Sequence, residues 1–147
     1  MQARTIRPIA ICICWHDNRI LVAEAHDTRK NQVFYRPLGG TIEFGEVGEE
    51  TVRREFLEEI NANLTQVRYL GTLENIFVYE GQQGHEIVLV YDGHLADKSL
   101  YSRDTIAGYE ADIQAPFRVI WKSLDEFGPG MPPVYPDGLL ELIRVTR

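Results

Sequence analysis

The stretch from Gly40 to Ala62, GTIEFGEVGEETVRREFLEEINA, restricts the fold more than any other part of the chain. Val52, Phe56 and Ile60 recur every four residues, so a helix starting near Gly48 and finishing near Ile60 carries an apolar stripe that must be buried. Glu49 and Glu50 suit its first turn, where the positive end of the helix favours carboxylates. On the adjoining face, Glu55, Glu58 and Glu59 fall within a sector of about 100°. Carboxylates so close together repel one another, and without context they read most simply as a solvated acidic face. A hard divalent cation reverses the sign of that interaction, because Mg2+ prefers carboxylate and carbonyl oxygens and is shared with substrate phosphates. The face is therefore a candidate metal-phosphate site.

The context is a fixed spacing: Gly40, five residues, Glu46, seven residues, Arg54-Glu55, apolar Phe56, one residue, then Glu58-Glu59. This resembles the signature box of the Nudix hydrolase family, and it occupies residues 40–62 of 147. The match departs at its end, where Asn61 stands in the Gly position and Ala62 in that of a bulky apolar residue. Gly is favoured there because a helix commonly stops on one residue in the left-handed conformation, and Asn is the usual second choice. Upstream, Arg36-Pro37-Leu38-Gly39-Gly40 resembles the family's Pro-Gly-Gly, with Leu38 at the Pro position.

The resemblance implies an α/β fold, an α/β/α sandwich around a mixed β-sheet, with residues 1–147 as one domain. It also implies metal-dependent hydrolysis of the diphosphate linkage of a small-molecule nucleoside diphosphate derivative: a nucleotide sugar, an ADP-ribose-like compound, a dinucleoside polyphosphate or a nucleoside triphosphate. The cation expected is Mg2+, with Mn2+ as a substitute, held by Glu55, Glu58, Glu59 and the Gly40 carbonyl. A turn-forming role alone also explains Gly40. Arg54 is expected to pair with Glu46 and hold the loop against the helix. Glu55 matches the residue often acting as general base, although its spacing equally suits metal ligation. Glu110, in a distant irregular segment, is the other candidate base, and Glu86 beside His85 is a further contributor; ordinary polar roles explain both as well. For the rest of the substrate, Arg36 offers a planar donor fork for phosphate, and Tyr35, Phe77, Tyr79 and Tyr109 are candidates to stack on a base or simply to pack. A noncatalytic nucleotide-binding sensor of the same family is the competing reading.

A length of 147 residues is enough to bury a core without disulfides or structural metal. The formal net charge of −7 disfavours extended nucleic acid and anionic membranes as partners. The longest apolar run, from Ile9 to Trp15, is too short to span a bilayer, and the N-terminal residues lack a secretory pattern, so a cytoplasmic location is expected. Oligomeric state is left open, a homodimer included.

Along the rest of the chain, residues 7–15 and 20–25 read as a hairpin turning at His16-Asp17-Asn18. Cys12 and Cys14 alternate toward one buried face. Short strands are expected at 33–38 and 41–44, longer ones at 64–79 and 86–95 joined through Gly81-Gln82-Gln83-Gly84, and another at 117–121. Residues 96–112 show no period and read as a long loop. A short turn or helix at 123–127, a proline-rich stretch, and an amphipathic helix at 137–145 complete the chain.

Overall fold

A computed structural model describes residues 4–147. Its elements are β1 (Arg7–His16), β2 (Arg19–Asp27), β3 (Gln32–Arg36), β4 (Leu38–Thr41), α1 (Gly48–Ile60), β5 (Leu64–Tyr79), β6 (Gln82–Leu95), β7 (Thr105–Glu110), β8 (Ala115–Ser123) and α2 (Leu139–Thr146), with short 3-10 turns at Lys98–Ser102 and Leu124–Glu126. The strands follow the order β5-β6-β1-β2-β8-β7, while β4 pairs with β1 and β3 with β2. β1 and β6 run parallel, with Arg7 opposite Glu86, and the other strand pairs are antiparallel. The sheet is mixed.

Alternation along β1 explains both layers of helix. Ala10, Cys12 and Cys14 share one core with Val52, Phe56 and Ile60 of α1, whereas Ile9, Ile11 and Ile13 share the other with Leu139 and Ile143 of α2. Each face of the central strand thus meets a helix, and the α/β/α sandwich follows from a period of two meeting a period near 3.6. Phe56 is fully buried, and a side chain of that size contributes about 2 kcal/mol through removal of apolar surface from water. Both cysteines are free and buried on the α1 side.

β1 pairs with β4 over Ile9–Cys12 and with β2 only at Trp15 and His16. β2 in turn runs along β8 from Arg19 to Ala23 and along β3 from Ala23 to Asp27. Two strand arms therefore meet at the β1–β2 hairpin, and the chain crosses between them at Pro37, which has no N–H to offer a ladder.

Four expectations change. The strand expected at 33–38 breaks at Pro37, and the one expected at 41–44 is instead Leu38–Thr41, after which residues 43–46 form a turn closed by the Glu46 N–H donating to the Glu43 carbonyl. The β5–β6 connection is only Glu80-Gly81, both at positive φ (51° and 77°), and Gln82 already belongs to β6. The irregular reading of 96–112 is overturned by the 3-10 turn capped by Asp97 and by β7. Its alternation was disguised because Gly108 takes an inward position, where the Phe117 ring fills the space a Cβ would need.

Candidate functional site

The loop before α1 is held by one side chain. Arg54 donates from Nε to Glu46 Oε2 at 2.8 Å and from Nη2 to Glu46 Oε1 at 2.9 Å, a bidentate fork, while Nη2 also reaches the Thr41 carbonyl at 3.1 Å. Its Nη1 bridges to Glu55 at 3.0 Å and to Glu58 at 3.3 Å. Glu46 receives two further hydrogen bonds, from Thr51 Oγ1 at 2.6 Å and from the Glu43 N–H at 3.2 Å. The helix begins with Glu50 accepting the Val47 N–H and stops on Asn61 in the left-handed conformation, φ 53° and ψ 42°, whose N–H bonds the Leu57 carbonyl.

The carboxyls respond oppositely to these surroundings. Hydrogen bonds from Arg54, reinforced by Thr51 and the Glu43 N–H, draw Glu46 down to about 2. Burial pushes Glu59 up to about 9, helped by a hydrogen bond it donates to Glu55 and by the negative charges of Glu55 and Glu110. Glu55 is raised by burial, an effect that the Glu59 hydrogen bond and Arg54 oppose. Glu58 lies at the rim, its side chain half exposed. Gly40 touches the same centre, because a Cβ there would collide with the Glu55 carboxyl. The glycine is required by the close approach of backbone to carboxylate.

Beside Glu59 opens a cleft of about 170 Å³ lined by residues of β2, the β3–β4 crossing, β7 and β8. Arg36, Glu59 and Glu110 line its polar end, and Tyr79, Ile113 and Phe117 its apolar side. The expected residues thus separate into two sets. Gly40, Glu46, Arg54, Glu55, Glu58 and Glu59 form one contact network, with Arg36, Tyr79 and Glu110 in the adjoining cleft. Tyr35 is instead packed in the α2-side core against Phe127, its hydroxyl 3.4 Å from Glu24, and Phe77 lies over Gly84 across the hairpin. Tyr109 is exposed and does not line the cleft. Glu86 also lies outside the lining; it is buried, 3.6 Å from Arg7, and burial raises its pKa against the opposing charges of Arg7 and Arg36. Ile113 and Phe117 were absent from the expected set, because an isolated apolar residue in a turn and an aromatic in a strand carry no signal of a ligand.

Among the described residues, no three His, Cys, Asp or Glu side chains enclose a point where an ion could sit as they stand. Arg54 Nη1 already engages Glu55 and Glu58, and the Glu59 proton joins Glu55. The donor chemistry nonetheless fits a hard cation: three carboxylates on successive turns, two of them disfavouring their own ionisation, beside a backbone stripped of Cβ at Gly40. Glu55, Glu58 and Glu59 are the residues that would hold it.

Comparison with known proteins places this architecture. The sequence pattern of the NUDIX domain matches residues 5–137. Among solved structures, a MutT NUDIX hydrolase from Burkholderia pseudomallei superposes with a TM-score of 0.68 at 21% identity, covering 97% of this chain and 100% of that one. A NUDIX hydrolase from Nitrosomonas europaea gives 0.66 at 15% identity over 95% and 87% of the two chains. An ADP compounds hydrolase gives 0.54 at 16% identity over 83% and 60%. No curated protein matches the sequence. The chain belongs to the Nudix family, and its class is that of the Nudix-type pyrophosphohydrolases.

Proposed function

We propose that the protein is a divalent-metal-dependent hydrolase that splits the diphosphate linkage of a nucleoside diphosphate derivative, with residues 1–147 acting as one cytoplasmic catalytic domain. The observation that carries this reading is the buried Glu55–Glu59 pair next to Glu58, placed where the Arg36-lined cleft opens. Glu55, Glu58 and Glu59 would hold Mg2+ or Mn2+, which would supply charge neutralisation at the diphosphate oxygens and lower the pKa of water. Arg36 binds a phosphate through its guanidinium fork. Glu110, whose charge already acts on Glu59, accepts the proton of the attacking water, and Glu55 is the alternative acceptor. Water oxygen bonds to one phosphorus, the bridging P–O bond breaks, and two phosphorylated products leave. Arg54 and Glu46 are positioning residues that keep the carboxylate face aligned with the glycine strand.

The relative described as an ADP compounds hydrolase supports a nucleotide substrate class. The negative net charge supports a small substrate over extended nucleic acid, and among the described residues no helix is long and apolar enough to cross a membrane. The test is a panel of nucleotide sugars, ADP-ribose, dinucleoside polyphosphates and nucleoside triphosphates, assayed with Mg2+ and with Mn2+ and with both products identified. Turnover of at least one compound, lowered about 10²- to 10³-fold by Glu58→Gln in a folded protein, is the expected result. Binding without turnover across every compound and both metals assigns the chain to the sensor class instead.

A further inference from the structure

Beyond the phosphate end, the cleft has a chemical character that bears on which nucleotides it accepts. Its polar side chains are gathered at the carboxylate end, where Arg36, Glu59 and Glu110 stand. Among the described residues, the other polar lining groups are the Tyr79 hydroxyl and Glu24, whose Oε2 accepts from the Tyr35 hydroxyl at 3.4 Å and from Arg118 at 3.3 Å. The rest of the lining open to a base is apolar or aromatic: Ala23 and Ala25 of β2, Ile113 and Phe117 of the β7–β8 hairpin, and the Tyr79 ring. Among the described residues, no amide side chain lines it to read the edge of a base.

Tyr79 is also held firmly. Asp27, almost fully buried, accepts backbone N–H bonds from Arg29 and Lys30 in the β2–β3 turn and from Glu80 in the β5–β6 turn, each at 3.0–3.1 Å. Glu80 reciprocates by accepting from the Thr28 N–H at 2.6 Å and from the Thr28 hydroxyl. The two hairpin tips are thereby locked together, and the ring beside Glu80 rests edge-on against Phe34 with centroids 5.8 Å apart. A preformed ring can stack on a planar group with little ordering entropy to lose.

We infer that this cleft takes the base of its nucleotide by stacking and shape, with Tyr79 as the principal recognition residue, and that it is tolerant of base identity. Every base has a π-face, and an apolar pocket discriminates between similar groups only weakly. A site that hydrogen-bonds its ligand rejects analogues far more strongly. The inference rests on the hydrolase reading only for the direction in which the nucleotide lies, phosphates toward Glu59.

Binding can be tested without turnover, by equilibrium dialysis of ADP, GDP, CDP and UDP against the whole chain in Mg2+. The four dissociation constants should agree within about 100-fold. Tyr79→Ala should weaken all four by about 10- to 100-fold, and Tyr79→Phe should leave them within about threefold, since stacking needs the ring and not the hydroxyl. A wider spread, a loss on Tyr79→Phe confined to one base, an indifferent Tyr79→Ala, or no binding of any of the four overturns the inference. Uniform, Tyr79-dependent binding with no hydrolysis of the wider panel sinks the hydrolase reading and leaves this one standing.

Discussion

Glu46 and Glu59 are the same residue type within one short segment, and their surroundings drive them in opposite directions. Glu46 meets a forked guanidinium, a hydroxyl and a backbone N–H, and is drawn down to about 2. Glu59 meets burial and further carboxyls, and is pushed up to about 9. A carboxylate that accepts four hydrogen bonds is part of the scaffold, whereas one that disfavours its own charge retains free energy that a cation can release. The boundary runs through Arg54, which answers Glu46 with two bonds and the neighbouring Glu55 and Glu58 with one nitrogen.

The largest effect should come from the unanswered side. Glu58→Gln keeps the shape of a half-exposed side chain and removes its charge, so fold and melting temperature should be unchanged while kcat/KM on a diphosphate substrate falls about 10²- to 10³-fold. A variant that stays active would place Glu58 with the scaffold and break the comparison. Next is Glu46→Gln, expected to lower the stability by roughly 2 to 3 kcal/mol near neutral pH in urea unfolding. The sign follows from the lowered pKa: the Glu46 contribution is complete above its ordinary value of 4.5 and is lost as pH falls toward about 2. The variant should therefore show a flatter acid limb than the parent, and parallel acid limbs would count against the Arg54 fork as the source.

Glu59 supplies the opposite pH dependence. A carboxyl raised to about 9 keeps its proton when folded and loses it when unfolded, so without metal its unfavourable contribution grows as pH rises from 4.5 toward 9. Occupation of the face by Mg2+ or Mn2+ requires that proton to leave. Calorimetric titration near pH 7.5 in two buffers of different ionisation enthalpy should report up to one proton released per protein, and Glu59→Gln should abolish the release. Equal heats in both buffers would remove Glu59 from the ligand set.

The scaffold side of this comparison was legible in the sequence because it rests on local periodicity: Val52, Phe56 and Ile60 mark the buried stripe, and Arg54 falls eight residues after Glu46, a spacing given meaning by the family pattern. The sandwich was legible for the same reason, with alternating residues of β1 meeting two helices. The cleft was not. Its wall comes from Tyr79 at the end of β5 and from Ile113 and Phe117 of the β7–β8 hairpin, segments brought together only by the order β2-β8-β7 and by the Asp27–Glu80 clasp. Strand aromatics look alike in sequence whether they face a core, as Tyr35 does, or an opening, as Tyr79 does. The β7 strand escaped notice because Gly108 erases one of the two inward positions that would have revealed its period.

The smallest expected effect separates the two ends of α1 from its chemistry. Asn61 holds φ 53° and ψ 42° at the helix stop, a conformation in which a Cβ is disfavoured and which Asn tolerates better than most residues. Replacing it by Gly relieves that strain and at the same time gives the unfolded chain more freedom, so the two contributions oppose each other. With the left-handed penalty the larger, Asn61→Gly should stabilise the protein by about 0.5 kcal/mol, read as a small rise in the urea midpoint at constant slope. Its backbone bond to Leu57 does not depend on the side chain and should persist. kcat/KM should not move, since the carboxylates on the preceding turn are positioned by Arg54 and by the buried stripe. A change in rate without a change in stability would mean that the helix stop itself helps to place Glu58 and Glu59, and that the division between scaffold and chemistry lies further along the helix than Arg54.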